Sequence, residues 1–150
     1  MHLTDLTYIT EVCGGDKESI GELIDIFVEQ VDEFNGLFAK HYRDAEWRPL
    51  AAVAHKAKSS VASLGLAALA DDMKRLELVC KQLHRRQLAE SGTAETDAAV
   101  AQIDRDLSHY QPDMVSWVRQ SASTETVVRL LDNFGRQTRI AVEELKDKAL

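Results

Sequence analysis

A chain of 150 residues is long enough for one domain with a sizeable core, and 45% hydrophobic with 29% charged residues is ordinary globular composition. The formal net charge of −7 argues against general nucleic-acid binding, which needs a basic face to meet phosphates. Two prolines and seven glycines leave few breaks, no stretch alternates with period two, and no apolar run approaches the ~20 residues of a membrane span. The expectation is an all-α protein of the cytoplasm, with no membrane partner. Cys13 and Cys80 lack metal-ligand spacing and read as reduced thiols, and the start Met1-His2-Leu3-Thr4-Asp5 does not read as a signal peptide.

In chain order, Leu3 to Val12 forms a short first helix that Gly14 and Gly15 stop. Asp16 caps a long second helix running to about Tyr42, whose seam includes Ile24, Phe27, Val31, Phe34 and Phe38. Asp44-Ala45-Glu46 is a turn, and Pro49 suits the first turn of a third helix. Gly65 separates that helix from a fourth, which ends near Arg86 or a little later, with a loop over 89–93. The fifth helix carries Val100, Ile103, Leu107, Tyr110, Met114 and Trp117 in unbroken 3–4 spacing, which favours one kinked helix passing through Pro112. After a loop over 121–124, a sixth helix runs from about Thr124 to Lys148, interrupted at Gly135. The architecture expected is an antiparallel four-helix bundle of the second to fifth helices, with a short N-terminal helix and an extra C-terminal one. It is a single domain over 1–150, with 1–120 as bundle core and 121–150 packed on it.

The third helix holds the candidate site. At about 100° per residue, Leu50, Val53, Ala54, Ala57, Val61 and Leu64 gather on one side, while His55 lies about 150° from the middle of that stripe. His55 therefore faces solvent. Around it stand Ala51 and Ala52 below, Lys58 and Ser59 above, and Ala62 two turns up. Such small side chains cannot fence off the imidazole, so another protein can approach it closely.

His55, Lys58, Ser60, Leu64 and Gly65, followed by Leu69, Leu76 and Glu77, resemble the pattern of the histidine-containing phosphotransfer (HPt) domain. Gly14-Gly15-Asp16 followed by Leu23, Ile24 and Phe27 resembles the start of that family's long second helix. The resemblance spans about Leu3 to Gln82; Ser59 stands where the family usually has glycine, and serine is nearly as small. It implies a phosphorelay intermediate. A receiver domain's aspartyl phosphate donates its phosphoryl group to His55, and a second receiver takes it away. The partners implied are receivers of hybrid histidine kinases and of response regulators in two-component signalling, met by a monomeric shuttle. Magnesium would sit on the receiver, and no cofactor is expected on this chain.

Phosphoryl transfer to histidine needs a neutral, exposed imidazole with a positive charge near the phosphoryl oxygens. Lys58, three residues on, is placed to supply that charge; Lys56 lies about 100° round the helix and suits the partner surface, with Ala51, Ala52, Ser59 and Ala62. The plain alternative is a solvated surface histidine. The resemblance implies a phosphate carrier and not a kinase, and no Gly-x-x-x-x-Gly-Lys loop is present to suggest ATP binding. His2, His41, His84 and His109 show no metal-binding spacing. The basic residues Lys81, His84, Arg85 and Arg86 read as cations at the carbonyl end of the fourth helix. Two other functions compete. In the phosphoacceptor helix pair of a sensor kinase, an acidic residue usually follows the histidine, whereas Lys56 stands here. A non-catalytic helical adaptor that binds receivers or other helices draws on the apolar stripe of the C-terminal helix.

Overall fold

A computed structural model describes residues 3–148, which form α1 (Thr7–Val12), α2 (Lys17–Arg43), α3 (Trp47–Ser63), α4 (Ala67–Ser91), α5 (Ala94–Leu107), α6 (Pro112–Ser121) and α7 (Thr124–Lys148), with no strand among them. His2, one of the histidines considered above, lies outside the described residues.

α1 starts later than Leu3 because the preceding backbone is committed elsewhere. The Glu144 carboxylate accepts from the Leu3 N–H at 2.8 Å and from the Thr4 N–H at 3.3 Å, and the Asp5 N–H donates to the Leu64 carbonyl at 2.8 Å. These bonds tie the N-terminal segment to α7 and to the α3–α4 turn. That turn depends on Gly65, whose φ is +78°; a Cβ there would lie 2.4 Å from Asp5 Cβ and 2.8 Å from its backbone nitrogen. The left-handed backbone and the close crossing both call for glycine.

α2 begins as expected at Asp16, which accepts from the Ser19 hydroxyl at 2.6 Å; that hydrogen bond, ahead of all other causes, holds the Asp16 carboxyl below the usual carboxylate range. Its buried residues Ile24, Phe27, Val31, Phe34 and Phe38 follow 3–4 spacing, the pattern of a helix packed lengthwise on neighbours. α4 lies at the centre. It packs on α3, α5, α6 and α7, so five successive residues, Leu76 to Cys80, are buried and no amphipathic face survives there. Burial also drives the Cys80 thiol far above its ordinary range.

The helix that closes the bundle against α2 is α7, through Phe38 and Phe134, whose rings meet edge to face at 5.3 Å. This corrects the expected make-up of the bundle, in which the fifth helix held that place. α7 runs unbroken through Gly135 and buries Val127, Phe134, Ala141 and Leu145 completely. α5 and α6 instead form an outer layer on α4, around a second small core of Leu78, Leu107 and Val118.

Pro112 does not lie inside a helix. It is the first residue of α6, and residues 108–111 separate α5 from α6. The missing N–H costs nothing at that position; the apolar spacing keeps phase because both short helices cover the same flank of α4. The loop expected over 89–93 is also shorter, since α4 continues to Ser91 and ends at Gly92, whose φ is +63°.

The basic residues of α4 consequently do not lie at its C-terminus. Arg85 holds Asp104 of α5 in a bidentate pair at 2.7 and 3.1 Å, and Arg86 donates to the carbonyls of Ala122 and Arg119. They fasten the outer layer, and the Arg85 hydrogen bond is the first cause holding the Asp104 carboxyl below its usual range. His41 meets Glu46 at 3.1 Å beside the α2–α3 turn.

Candidate functional site

α3 lays its apolar stripe against α2 and α4, with Leu50, Ala54, Ala57 and Val61 wholly buried. The same helical phase turns His55 outward, and its side chain is 65% exposed. It is not free, however. Its Nδ1 lies 2.9 Å from Oε1 and 3.3 Å from Oε2 of Glu77, on the facing turn of α4. The Glu77 side chain is only 6% exposed, and its charge is partly balanced by the Lys81 ammonium at 4.0 Å.

A carboxylate can only accept. Nδ1 therefore carries a proton, and in the neutral ring Nε2 is the nitrogen with the lone pair, on the exposed side of the imidazole. The ring is held from behind by a buried acceptor and open in front.

Ala52, Lys56, Ser59 and Ala62 are exposed around His55, as the helical wheel predicts. Ala51 is not. It is 4% exposed and floors a groove beside His55, because it sits at the edge of α3 that meets α4. Lys58 is half-buried rather than fully exposed, and no carboxylate lies within ion-pair distance of it among the described residues. Ser60, part of the sequence pattern, donates to Oε1 of Gln30 on α2 at 3.2 Å and so joins the two helices.

Two members of the constellation escape a reading of α3 alone. Glu77 figures in the sequence pattern, yet nothing in α3 periodicity says that it meets His55 across the α3–α4 hairpin. Lys81 follows Glu77 by one turn, so the pair could be found only once α4 was set against α3.

The groove has a volume of about 660 Å3 and runs between α3, α4 and α5, with His55, Glu77 and Tyr110 among its walls. The Tyr110 phenol is pushed up from its ordinary range by burial first, then by the negative charges of Glu77 and Asp106. Among the described residues no three His, Cys, Asp or Glu side chains cluster as a metal site, and no helix is long and apolar enough to cross a membrane.

Residues 22–106, more than half of the chain, match the family model of the Hpt domain. The chain belongs to the Hpt-domain family. No curated protein and no solved structure matches the chain significantly. The Hpt match takes in His55, Lys58, Glu77 and Lys81 and leaves α1, α6 and α7 outside it. Membership assigns the chain, in general terms, to histidine phosphotransfer within a phosphorelay, as a carrier and not a kinase.

Proposed function

We propose that His55 is the phosphoacceptor, receiving a phosphoryl group from an aspartyl phosphate on one receiver domain and passing it to an aspartate on another. The observation that carries this reading is the Nδ1–Glu77 hydrogen bond, which leaves Nε2 as the exposed nucleophile. In the forward step the Nε2–P bond forms, the P–O bond to the aspartyl oxygen breaks, and the aspartate leaves as a carboxylate. Nδ1 keeps its proton throughout, shared with Glu77, so the developing positive charge on the ring faces a buried carboxylate. Lys58 and Lys81 are the cations assigned to the phosphoryl oxygens. Magnesium belongs to the receiver in this scheme, and this chain supplies nucleophile, cations and docking surface.

The docking surface starts at Ala52, Lys56, Ser59 and Ala62 and continues over α1 and α2. There Tyr8, Val12, Leu23 and Ile26 stand exposed, with Ser60 and Ser63 of α3 in the same hollow. Grouped apolar side chains in water mark an interaction face, and its continuity with the collar suits a receiver that must bring its aspartate to His55. The adaptor alternative loses its main support, since the α7 stripe is buried in the core through Val127, Leu130 and Phe134.

Collar variants test the surface. Ser59→Gln and Ala62→Gln are exposed changes and should shift stability by no more than about 0.5 kcal/mol. A long side chain there should hold the reacting atoms apart, and displacement by ~1 Å can cost about two orders of magnitude in rate. Transfer from a phosphorylated receiver should fall steeply in proteins that melt normally. Parental rates in both variants would remove the docking surface from this face.

A further inference from the structure

The groove beside His55 has a second wall that the transfer chemistry does not use. Two antiparallel registers set its levels. Across α3 and α4, His55 meets Glu77; across α4 and α5, Arg85 meets Asp104. Six residues beyond Asp104, Tyr110 therefore comes level with α4 near Glu77, and two interactions place it there independently. The Lys74 ammonium, one turn before Glu77, lies 5.3 Å from the centre of its ring, and the Glu77 charge reaches its phenol. His55 and Tyr110 thus stand on opposite walls at the same end of the groove, with Glu77 between them.

Tyr110 has the form of a fixed anchor. It lies in the link between α5 and α6, where its N–H donates to the Leu107 carbonyl at 3.2 Å, and it packs against the second core of Leu78, Leu107 and Val118. The residue stays half-buried, and among the described residues none accepts its O–H. A rigid aromatic body with an unused polar tip loses little entropy on contact, which is why tyrosine recurs among the residues that dominate interfaces.

Size indicates what covers it. A partner that buries about 800 Å2 of this chain covers a patch roughly 32 Å across, while the two helix spacings from α3 through α4 to α5 total at most about 20 Å. Side chains on the facing walls narrow that gap further. A receiver seated with its aspartate at His55 therefore spans the groove instead of stopping at its edge. Ala52 and Lys56 line the groove as well as belonging to the collar, so the two surfaces are continuous.

We propose that Tyr110 is a docking anchor for the receiver domain, which bridges the groove from the collar to the α5–α6 link, packs on the Tyr110 ring and accepts its O–H. This rests on the phosphotransfer reading and extends its surface to a residue beyond the matched stretch, which ends at 106.

The test uses the full chain and a receiver domain that labels His55. Hydroxyl-radical labelling of the wild type, read by peptide mass, should fall at Tyr110 as receiver is added, half-saturating at the same concentration as protection of Tyr8 on the α1 side. Tyr110→Ala should raise that concentration roughly tenfold or more, and Tyr110→Phe, which keeps the ring, should raise it less, with melting and helicity followed in both. The wild-type footprint decides the matter even where the alanine variant melts early. Label on His55 with Tyr110 unprotected would overturn the proposal and leave the phosphotransfer reading standing, as would a folded Tyr110→Ala that binds the receiver as tightly as the wild type. Protection that rises with the concentration of this chain alone would assign the wall to a second copy and also overturn it. A chain that no receiver labels would take both readings down together.

Discussion

At the residue scale the decisive pair is His55 and Glu77. His55 was legible from one helix, because a 3.6-residue period fixes which way each side chain of α3 points. Glu77 was legible as part of a pattern but not as a partner, since a contact across a hairpin depends on the register of two helices. The same limit explains Ala51, where one helical wheel cannot show that α4 covers the edge. Replacing Glu77 tests the assigned role. A hydrogen bond to a charged group is worth about 1.5–3 kcal/mol, so Glu77→Ala should slow label uptake by about 10- to 100-fold. Glu77→Gln, which keeps an acceptor oxygen for Nδ1–H, should lose less. Uptake at the parental rate in Glu77→Ala, with helicity intact, would show that the carboxylate does not set the ring.

At the scale of elements, the long helices α2, α3 and α7 were legible to within a few residues because their apolar seams are continuous and, in α2, the Asp16 cap marks the start. Pro112 was misread because the 3–4 spacing of Ile103, Leu107, Tyr110, Met114 and Trp117 runs on across the break. Two helices covering one flank of α4 keep that phase as well as one helix does, so only the proline's own geometry separates the cases. The α3–α4 turn makes the sharper prediction. Gly65→Ala forces a left-handed backbone on an L residue, at about 1–2 kcal/mol, and adds the collision with Asp5. Denaturant unfolding should show at least that loss, together with release of the Asp5–Leu64 hydrogen bond in amide exchange. An alanine variant as stable as the parent would mean that the N-terminal segment does not cross there.

At the scale of the whole molecule, α7 is part of the core although it lies outside the stretch that matches the Hpt family. It packs against α2 and α4, and Glu144 reaches back to Leu3 and Thr4, joining the two ends of the chain. Its apolar seam was legible, but its place was not, because a seam says that a helix is covered without saying by what. Phe134→Ala should cost about 3–5 kcal/mol, and truncation after Ser121 should lower the melting temperature further or cause association as Phe38 and its neighbours meet water. A truncated chain as stable and monodisperse as the parent would show α7 to be dispensable.

The central claim is that this bundle exists to present one imidazole nitrogen. The direct measurement incubates the chain with a receiver domain carrying labelled aspartyl phosphate, then maps acid-labile, base-stable label to a residue. The account predicts label on His55 alone, and none in His55→Gln at unchanged helicity and melting temperature. Label on another histidine, or parental uptake in His55→Gln, would contradict it.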